Sequence, residues 1–290
     1  MLPEWLVVGP VTTERYAHVK NRVNELSLHT VCVEAGCPNI TECWSGGTAT
    51  FMVLGSRCTR GCRFCAVNKS ATGETVDDQE PVKLAKLIKE WGLSYVVITS
   101  VARDDLADQG SLHFAECVKA IKRENPGTII EVLIPDFQGD ERLLKNIVDA
   151  QPDVIGNNIE TVERLSKEAR DRRADYWQSI GLLQRVKALD KGVYTKSAMM
   201  LGIGETRDEV VQSLKDLRNA NVDFVAIGQY LKPKGHHMEV KEFIRPEVFE
   251  EYRRIGTELG FRYVAAGPFV RSSYRAGEHF VANVIGRAAH

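Results

Sequence analysis

A regular alternation of short apolar runs and longer amphipathic stretches begins near residue 50 and continues through most of the chain. Predicted strands cover 49–55, 94–100, 128–134, 153–159, 193–201 and 223–231, and predicted helices lie near 81–91, 112–124, 140–149, 176–189, 206–219 and 246–259. Six βα units in succession predict parallel strands joined by right-handed crossovers. Because a closed barrel needs eight units, the periodicity leaves two arrangements open, a partial barrel and a flat doubly wound sheet.

The two ends of the chain lack this alternation. Residues 1–48 contain three cysteines, and the stretch after about residue 265 is rich in Gly and Arg, as in AGPFVRSSYRAG. We therefore predict an α/β catalytic domain at 49–264, flanked by an N-terminal extension at 1–48 and a C-terminal extension at 265–290. Within the domain, Pro81 and Pro246 suit the first turn of a helix, and Gly260 suits a helix end.

The bulk composition excludes some classes of function. The net charge of −1 gives no support to electrostatic binding of nucleic acid. The longest apolar runs, such as YVVITSV at 95–101, are too short to cross a bilayer. The opening MLPEWLVVGP lacks the basic and long apolar regions of a secretory signal. We therefore predict a cytoplasmic protein that binds neither nucleic acid nor membrane.

The cysteines are the most unusual feature of the composition. Six of the seven fall within 34 residues, as the triplets Cys32, Cys37, Cys43 and Cys58, Cys62, Cys65. An odd number in a chain of this size, with no export signal, favours metal binding over a disulfide framework. The seventh, Cys117, lies in a stretch with helical periodicity and is predicted to be an ordinary buried thiol.

The second triplet lies in CTRGCRFC, directly after the first predicted strand. A structural zinc site normally needs four protein ligands, and this loop supplies three. Three thiolates on a [4Fe–4S] cluster would leave one iron open to a chelating ligand. We therefore predict such a cluster here, with its negative charge offset by neighbouring basic residues, namely Arg57, Arg60 and Arg63.

Polar segments follow the predicted strands, and most of them contain glycine. In a parallel sheet these loops gather at the carboxyl ends of the strands, where ligands bind. Asn158 and Glu160 lie at the end of the fourth strand, where they would either bind a ligand or cap the next helix. Arg173 and Tyr176 precede a helix, and Gln229, His236 and His237 are candidates for the mouth of the site.

The Cys-x3-Cys-x2-Cys spacing, placed after a first strand and followed by five more βα units, resembles the radical S-adenosylmethionine (SAM) superfamily. The resemblance implies a partial (βα)6 TIM-type barrel rather than a flat sheet. It also implies that the open iron binds the amino and carboxylate groups of SAM. The stretch GIGET resembles the part of these enzymes near the methionine end of SAM, which makes Gly202, Gly204 and Glu205 candidate cofactor contacts, together with Asn158, Glu160 and Arg173.

Longer motifs extend the resemblance to one family, the lipoyl synthases, over nearly the whole chain. The motifs are LHTVCVEAGCPNITECW, CTRGCRFC, ITSVARDDLADQG, EVLIPDF, NNIETV, ADYWQSIGLL, TKSAMMLGIGET, AIGQYLKP, HH and AAGPFVRSSY. The resemblance implies that residues 58–65 hold the catalytic radical-generating cluster. It also implies that Cys32, Cys37 and Cys43 hold an auxiliary [4Fe–4S] cluster, with a serine of the RSSY motif as fourth ligand. Of Ser272 and Ser273, we favour Ser273.

The resemblance further implies the reaction and the partners. In this family a deoxyadenosyl radical attacks C6 and C8 of an octanoyl chain that is attached to a lysine of a lipoyl carrier domain. Each carbon radical then takes a sulfide from the auxiliary cluster. The expected carriers are the E2 subunits of 2-oxoacid dehydrogenases and the glycine cleavage H protein, and the expected electron donor is ferredoxin or flavodoxin.

Several positions depart from the family pattern, namely Ala66, Ala102, Gln109, Gly156 and Asn157. They indicate a divergent paralogue with altered carrier recognition, rate or physiological role. Two other interpretations stay open at this point. One keeps the radical chemistry on a different acyl group, and the other is a non-enzymatic scaffold or electron carrier that holds zinc or iron–sulfur centres.

Overall fold

The computed structural model describes residues 3–6, 13–37, 39–45 and 50–273. Its helices are α1 Glu14–Glu25, α2 Val31–Glu34, α3 Ile40–Ser45, α4 Glu80–Trp91, α5 Ser111–Glu124, α6 Glu141–Asp149, α7 Glu163–Ala169, α8 Tyr176–Leu189, α9 Arg207–Asn219 and α10 Pro246–Glu258, with short 3-10 turns at Glu4–Leu6 and Phe137–Gly139. Its strands are β1 His29–Thr30, β2 Thr50–Val53, β3 Arg57–Cys58, β4 Asn68–Lys69, β5 Tyr95–Ser100, β6 Ile129–Leu133, β7 Val154–Gly156, β8 Tyr194–Leu201, β9 Phe224–Gln229 and β10 Tyr263–Gly267.

One large sheet organises the chain, with the strand order β1-β2-β5-β6-β7-β8-β9-β10. Each neighbouring pair from β2 to β10 is parallel, and β1 is antiparallel to β2. The order follows the chain without reversal, which excludes a doubly wound sheet. Within the described ranges no pairing joins β10 to the opposite edge, so the barrel is open, as the sequence predicted.

The strands have two buried faces, which explains their near-continuous apolar sequences. In β5, for example, Val96 and Ile98 pack into the large core beneath the helices, whereas Tyr95 and Val97 belong to a smaller cluster in the barrel interior. Ile129, Val154 and Phe224 complete that interior cluster. The amino-terminal half of the barrel is therefore filled with side chains.

A buried ion pair lies within this filled half of the barrel. The Lys196 ammonium is 2.7 Å from one oxygen of Glu131 and 2.8 Å from the other, and the Tyr95 hydroxyl donates to the same carboxylate. Both charged side chains are almost fully buried, with exposures of 3% and 1%. Because the three groups satisfy one another, this cluster is stable without water.

The helices begin and end close to the predicted residues. Pro81 lies in the first turn of α4, Pro246 begins α10, and Gly260 adopts a left-handed φ of 91° just after α10 ends. The longest helices, α5 and α8, have 14 residues each. No helix in the described part of the chain is long and apolar enough to span a membrane.

The two edge strands of the sheet lie near the two limits of the described chain. The strand β1 lies within the predicted N-terminal extension and pairs with β2, and β10 pairs with β9 at the opposite edge. The sequence did not predict β10, and this strand runs across the predicted boundary between residues 264 and 265. The division into a domain with two extensions stays a prediction.

Candidate active site

A cavity of about 360 Å³ opens at the carboxyl ends of the strands. Residues near the ends of the parallel strands line it, including Thr99 of β5, Leu133 of β6 and Gly228 of β9. Residues of both chain ends complete it, including Cys32, Cys37, Ser272 and Ser273. The cavity is therefore formed by the barrel and by the two flanking segments together.

The CTRGCRFC loop reaches this cavity after β2 and is held in place by several neighbouring loops. The Thr59 amide donates to the Ala102 carbonyl (3.0 Å), and the Arg63 amide donates to the Ala169 carbonyl (2.8 Å). The Gly61 amide donates to the Asp171 carboxylate over 2.7 Å. The partners lie in two segments of the barrel, one after β5 and one after β7 at the end of α7. The barrel therefore fixes the conformation of the cysteine loop.

The three thiols of this loop are close enough to affect one another. The Arg60 amide donates to Cys58 Sγ at 3.4 Å, and the Asp171 amide donates to Cys62 Sγ at 3.3 Å. Burial, assisted by the charges of Cys62 and Cys58, raises the pKa of Cys65 to about 12. A thiolate in such surroundings needs a bound cation to be stable, which is what an iron cluster provides.

The three arginines of the loop have carboxylate partners of their own. Arg60 is buried, with a bidentate pair to Asp104 at 3.0 Å and a contact to Asp136 at 2.7 Å. Arg57 lies 3.6 Å from Glu74, and Arg63 lies 3.4 Å from Glu168. Because two buried carboxylates are already paired with the Arg60 guanidinium, the role of this residue in offsetting cluster charge stays a prediction.

The N-terminal triplet lies on two short helices and the loop between them, which carries Cys37. Thr30 caps α2, which carries Cys32, and the Cys37 amide donates back to the Cys32 carbonyl over 3.1 Å. Cys43 lies on α3 and packs against the main core. Cys32 and Cys37 face the cavity, and burial raises the pKa of both thiols.

One hydrogen bond ties this triplet to the end of the described chain. The Asn39 side-chain amide donates to the Phe269 carbonyl over 2.8 Å, across 230 positions of sequence. Beyond Phe269 the chain brings Ser272 and Ser273 to the lining of the cavity that Cys32 and Cys37 also line. Neither the pairing nor the role of Asn39 has a sequence signal, because the bond depends on tertiary contact.

The two serines are in different surroundings. The Ser272 hydroxyl lies 3.3 Å from the side-chain oxygen of Asn158. Ser273 makes no comparable side-chain hydrogen bond to any residue of the described ranges, although it lines the cavity. Its hydroxyl oxygen is thus the more available ligand of the pair.

Arg271 is a residue that the sequence analysis did not single out. Its guanidinium donates to the carbonyls of Val270 (2.8 Å) and Pro268 (3.4 Å), and it contacts no carboxylate among the described residues. Desolvation lowers the pKa of this guanidinium, whereas the Cys37 thiol nearby has the opposite effect. A positive charge therefore lies at the cavity wall beside the N-terminal triplet.

Asn158 and Glu160 both line the cavity. Neither caps the following helix, because the residue before α7 is Val162, which makes no side-chain cap. Glu160 has a left-handed φ of 67°, and burial raises the pKa of its carboxyl while Arg170 acts in the opposite direction. A strained, poorly solvated acid at a cavity wall is typical of a ligand-binding position.

The other predicted cofactor contacts do not line the cavity. The Glu205 carboxylate accepts the amides of Gly202 and Ile203, so it closes its own turn. Gly202 has a φ of 95°, and a Cβ there would lie 2.3 Å from the Glu242 carbonyl oxygen. Gly204 accepts a hydrogen bond from Arg164 through its carbonyl.

Arg173 also has structural partners, since it donates to Asp171 and to the Thr59 carbonyl beneath the cysteine loop. A cofactor contact by Arg173 or by the GIGET residues stays a prediction.

The remaining candidates for the mouth of the site differ in their positions. The Gln229 side chain is buried and bonds the backbone of Leu201, Glu242 and Ile244. His237 lies 3.0 Å from the Cys65 carbonyl through Nε2, whereas His236 is exposed. The Tyr176 hydroxyl donates to Asp216, away from the cavity lining.

The departures from the family pattern have separate local effects. Ala66 lines the cavity, and the Ala102 carbonyl accepts the Thr59 hydroxyl. Gln109 adopts a left-handed φ of 50°, a conformation that costs other residues more than glycine. Gly156 lies within β7, and Asn157 is buried and donates to the Ile134 carbonyl.

An open parallel barrel that presents three cysteines after its first parallel strand defines the class of protein. Residues 52–217, more than half of the chain, match the family model described as the Radical SAM superfamily. The chain therefore belongs to this superfamily.

Within the superfamily, the chain belongs to the lipoyl synthases. The lipoyl synthase of Methanocella arvoryzae is 52% identical over 279 residues, which cover 96% of this chain and 94% of that protein. The mitochondrial lipoyl synthase of Picea sitchensis is 48% identical over 289 residues, which cover 98% of this chain and 75% of that protein. The family predicted from the sequence is thus confirmed.

Solved structures support the fold at much lower identity. Methylornithine synthase (PylB) aligns with a TM-score of 0.56 and 15% identity, covering 83% of this chain and 82% of that one. HydG, a maturase of the [FeFe]-hydrogenase, aligns with a TM-score of 0.58 and 11% identity, covering 88% and 62%. The predicted partial α/β barrel is confirmed.

Proposed function

We propose that this chain inserts two sulfur atoms at C6 and C8 of an octanoyl group in amide linkage to a lysine of a lipoyl carrier protein. The product is a protein-bound lipoyl group. Each insertion removes one C–H hydrogen as 5′-deoxyadenosine, so two SAM molecules are used per lipoyl group. The sulfur comes from the auxiliary [4Fe–4S] cluster, which is a substrate and is consumed.

One observation carries this proposal: a single cavity is lined by thiols of both triplets and by the two serines. Cys65 reaches it from the barrel, Cys32 and Cys37 from the N-terminal segment, and Ser272 and Ser273 from the other end of the chain. A substrate in this cavity would lie beside both donor sets at once. That placement suits a reaction in which a carbon radical must react with a sulfide before it reacts with anything that enters from solvent.

The residues present fit two iron–sulfur clusters. All six cysteines of the triplets are free thiols. Cys58, Cys62 and Cys65 would hold the cluster that binds SAM. Cys32, Cys37, Cys43 and Ser273 would hold the auxiliary cluster. When bound, the first cluster and SAM supply a 5′-deoxyadenosyl radical by one-electron cleavage of the sulfonium.

The protein's own contribution is to bind, orient and exclude water. Most of the cavity lining is apolar, with Phe64, Leu133, Met200 and Leu231 among its side chains. Such a surface suits an eight-carbon chain and leaves few groups that could quench a radical. No acid–base set is required, because the hydrogens at C6 and C8 are not acidic.

Asn158 and Glu160 are the proposed polar contacts for SAM, since they lie within the cavity lining. Ser273 is the proposed oxygen ligand of the auxiliary cluster, because Ser272 is already close to Asn158. A serine alkoxide is a harder donor than a thiolate and is released more readily when the cluster is dismantled.

The partners follow from the reaction. The proposed carriers are the E2 subunits of 2-oxoacid dehydrogenases and the glycine cleavage H protein, which present the acylated lysine. The proposed electron donor is ferredoxin or flavodoxin. A cytoplasmic location stays a prediction from the sequence.

The test is mass spectrometry of an octanoyl-lysyl peptide after incubation with the anaerobically reconstituted chain, SAM and a reductant. The expected product carries two sulfurs in place of two hydrogens. Peptides with shorter and longer acyl chains in the same assay separate this substrate from another acyl group. Formation of 5′-deoxyadenosine without sulfur on any octanoyl peptide would refute the proposal.

The Cys37→Ala variant separates the two donor sets. It should still form 5′-deoxyadenosine but should transfer no sulfur. Cys117→Ala is the matched control, because it removes a thiol that lies outside the cavity lining. The control should keep both activities. Loss of 5′-deoxyadenosine in Cys37→Ala alone would show that the triplets are assigned to the wrong roles.

A further inference from the structure

A second group of metal-binding side chains lies away from the cavity. Glu80, His113 and Cys117 each offer one ligand atom, and these atoms all lie within 4.8 Å of one another. None of the three lines the cavity. Glu80 is the first residue of α4, and His113 and Cys117 lie four residues apart on α5. Residues at that spacing share one face of a helix.

The cluster is enclosed by the fold. Cys117 has no measurable exposure, and the side chains of His113 and Glu80 are 12% and 7% exposed. The Glu80 carboxylate accepts the Leu54 amide at 3.0 Å and lies 2.7 Å from His113 Nε2 through the same oxygen. Within the described ranges this carboxylate has no Lys or Arg partner. A buried acid whose only basic side-chain partner among the described residues is a histidine is an unusual element of a core.

From this geometry we propose that Glu80, His113 and Cys117 form a site for one zinc ion. A thiolate, an imidazole and a carboxylate are the three donor types that zinc uses in proteins. One thiolate and one carboxylate carry two negative charges, which balance the charge of the ion. Burying such a neutral assembly costs little compared with burying an unpaired charge.

Metal binding requires only a small local adjustment. His113 Nε2 and Glu80 Oε2 are now 2.7 Å apart, and they would move to about 3.4 Å apart around a tetrahedral ion with bonds of about 2.0–2.2 Å. The ion takes the position of the proton between these two atoms. The fourth position of zinc would be filled by water, which can approach along the partly exposed edge of His113.

The Cys117 thiol does not ionise readily in the absence of a metal ion. Burial, with the nearby charges of Glu80 and Glu116, raises its pKa well above the ordinary value. Binding of zinc displaces the thiol proton to solvent, so no oxidant or reductant is involved. The bound ion would connect the start of α4 to the middle of α5 and, through Leu54, to the end of β2.

The experiment uses the full chain with both iron–sulfur clusters assembled, so that the other cysteines are occupied. The protein is treated with chelator, titrated with Zn²⁺ under anaerobic conditions and analysed by metal content and zinc X-ray absorption. We expect about one retained zinc per chain, bound by one sulfur and by two or three nitrogen or oxygen atoms. We also expect a zinc-dependent rise in the thermal unfolding midpoint.

Two variants and one control make the test specific. Cys117→Ser and His113→Gln should each weaken zinc binding at least tenfold and abolish the thermal shift. Glu116→Gln, which changes an exposed neighbour of Cys117, should bind zinc like the parent chain. Circular dichroism without zinc establishes that each variant is folded. If one of the two ligand variants does not fold, the other still tests the site.

Either of two results would overturn the zinc site. The first is that the cluster-loaded chain retains no zinc. The second is sulfur-rich coordination that persists in Cys117→Ser, which would place the ion on cluster cysteines. Neither result bears on sulfur insertion, which is measured separately.

Discussion

Asn39 donates a hydrogen bond to the Phe269 carbonyl over 2.8 Å, and this bond joins the two chain segments that supply the proposed auxiliary cluster. Asn39 lies between Cys37 and Cys43, and Phe269 shortly precedes Ser273. The Asn39 side chain is buried, at 1% exposure, so water does not compete for the bond. The geometry of one donor set therefore depends on a contact between opposite ends of the sequence.

Asn39→Asp tests this contact. The carboxylate keeps the shape of the side chain but has no N–H to donate, and it would face a carbonyl oxygen. We expect the free energy of unfolding to fall by about 1–3 kcal/mol in urea titrations. Iron should drop from about eight towards about four per chain, since only one [4Fe–4S] set keeps its geometry.

Asn24→Asp, at an exposed position of α1, is the control and should change stability by less than about 0.5 kcal/mol. If Asn39→Asp lost 5′-deoxyadenosine formation as severely as sulfur transfer, the contact would serve the whole site and not the auxiliary set.

Ser273→Ala and Ser272→Ala form a matched pair. Removing the proposed ligand should abolish sulfur transfer and lower the iron bound by the N-terminal triplet, because three cysteines alone hold the cluster less firmly. Ser272→Ala loses only a 3.3 Å contact with Asn158 and should keep most of the sulfur transfer.

Ser273→Cys should restore iron binding but slow the release of sulfide. Iron analysis, Mössbauer spectra and peptide mass provide the readout, and the reverse ranking of the two alanine variants would contradict the assignment.

The buried Lys196–Glu131 pair predicts non-additive effects on stability. Lys196→Met leaves the carboxylate buried without its cation, and Glu131→Gln leaves the ammonium buried without its anion. Each single change should cost about 3–5 kcal/mol of unfolding free energy. The double variant should cost clearly less than the sum, because neither charge remains. Urea unfolding of all four proteins gives the coupling energy, and simple additivity would show that the pair is not coupled.

The Arg164–Glu209 pair predicts a dependence of stability on pH. Hydrogen bonds from Arg164 and from Thr206 lower the pKa of Glu209 from 4.5 to about 2. The stabilisation is therefore complete above about pH 4.5 and is lost as the pH falls through about 2. Glu209→Gln should be less stable than the parent by about 0.5–1 kcal/mol at pH 7, since an exposed pair contributes little.

The difference between parent and Glu209→Gln should narrow as the pH falls below about 4.5, which urea titrations at a series of pH values can follow. Glutamine still accepts at the start of α9, so the helix cap itself is retained. A difference that stayed constant down to pH 3 would mean that the carboxylate charge does not contribute.

The strands and helices with strong periodicity were predictable from the sequence. All six predicted strands overlap observed ones, and the predicted helix at 176–189 coincides with α8. The strand β10 was missed because Tyr263–Gly267 contains two alanines and a glycine, which are poor strand formers. Its pairing with β9 is a tertiary effect that local patterns do not record.

The site was only partly predictable for a similar reason. Cysteine spacing and the RSSY motif indicate donor atoms, and the structure brings five of these residues to one cavity, namely Cys32, Cys37, Cys65, Ser272 and Ser273. The partners of Arg60 could not be inferred, because Asp104 and Asp136 come from loops after two other strands. The short motif GIGET predicted a cofactor contact for Glu205. In the structure its carboxylate accepts the Gly202 amide and closes a turn, and the sequence alone does not distinguish this role from ligand binding.

The bond between Asn39 and Phe269 spans 230 positions, and it sets an order of events during translation. The ribosome finishes CTRGCRFC early, but at about 5–20 residues per second it needs about 10–40 s more to reach the serines that follow Phe269. A nascent chain therefore contains the three thiols of this loop well before it contains the serine that we propose as the oxygen ligand of the N-terminal triplet. We therefore expect the proposed auxiliary cluster to be completed only after nearly all of the polypeptide has been made.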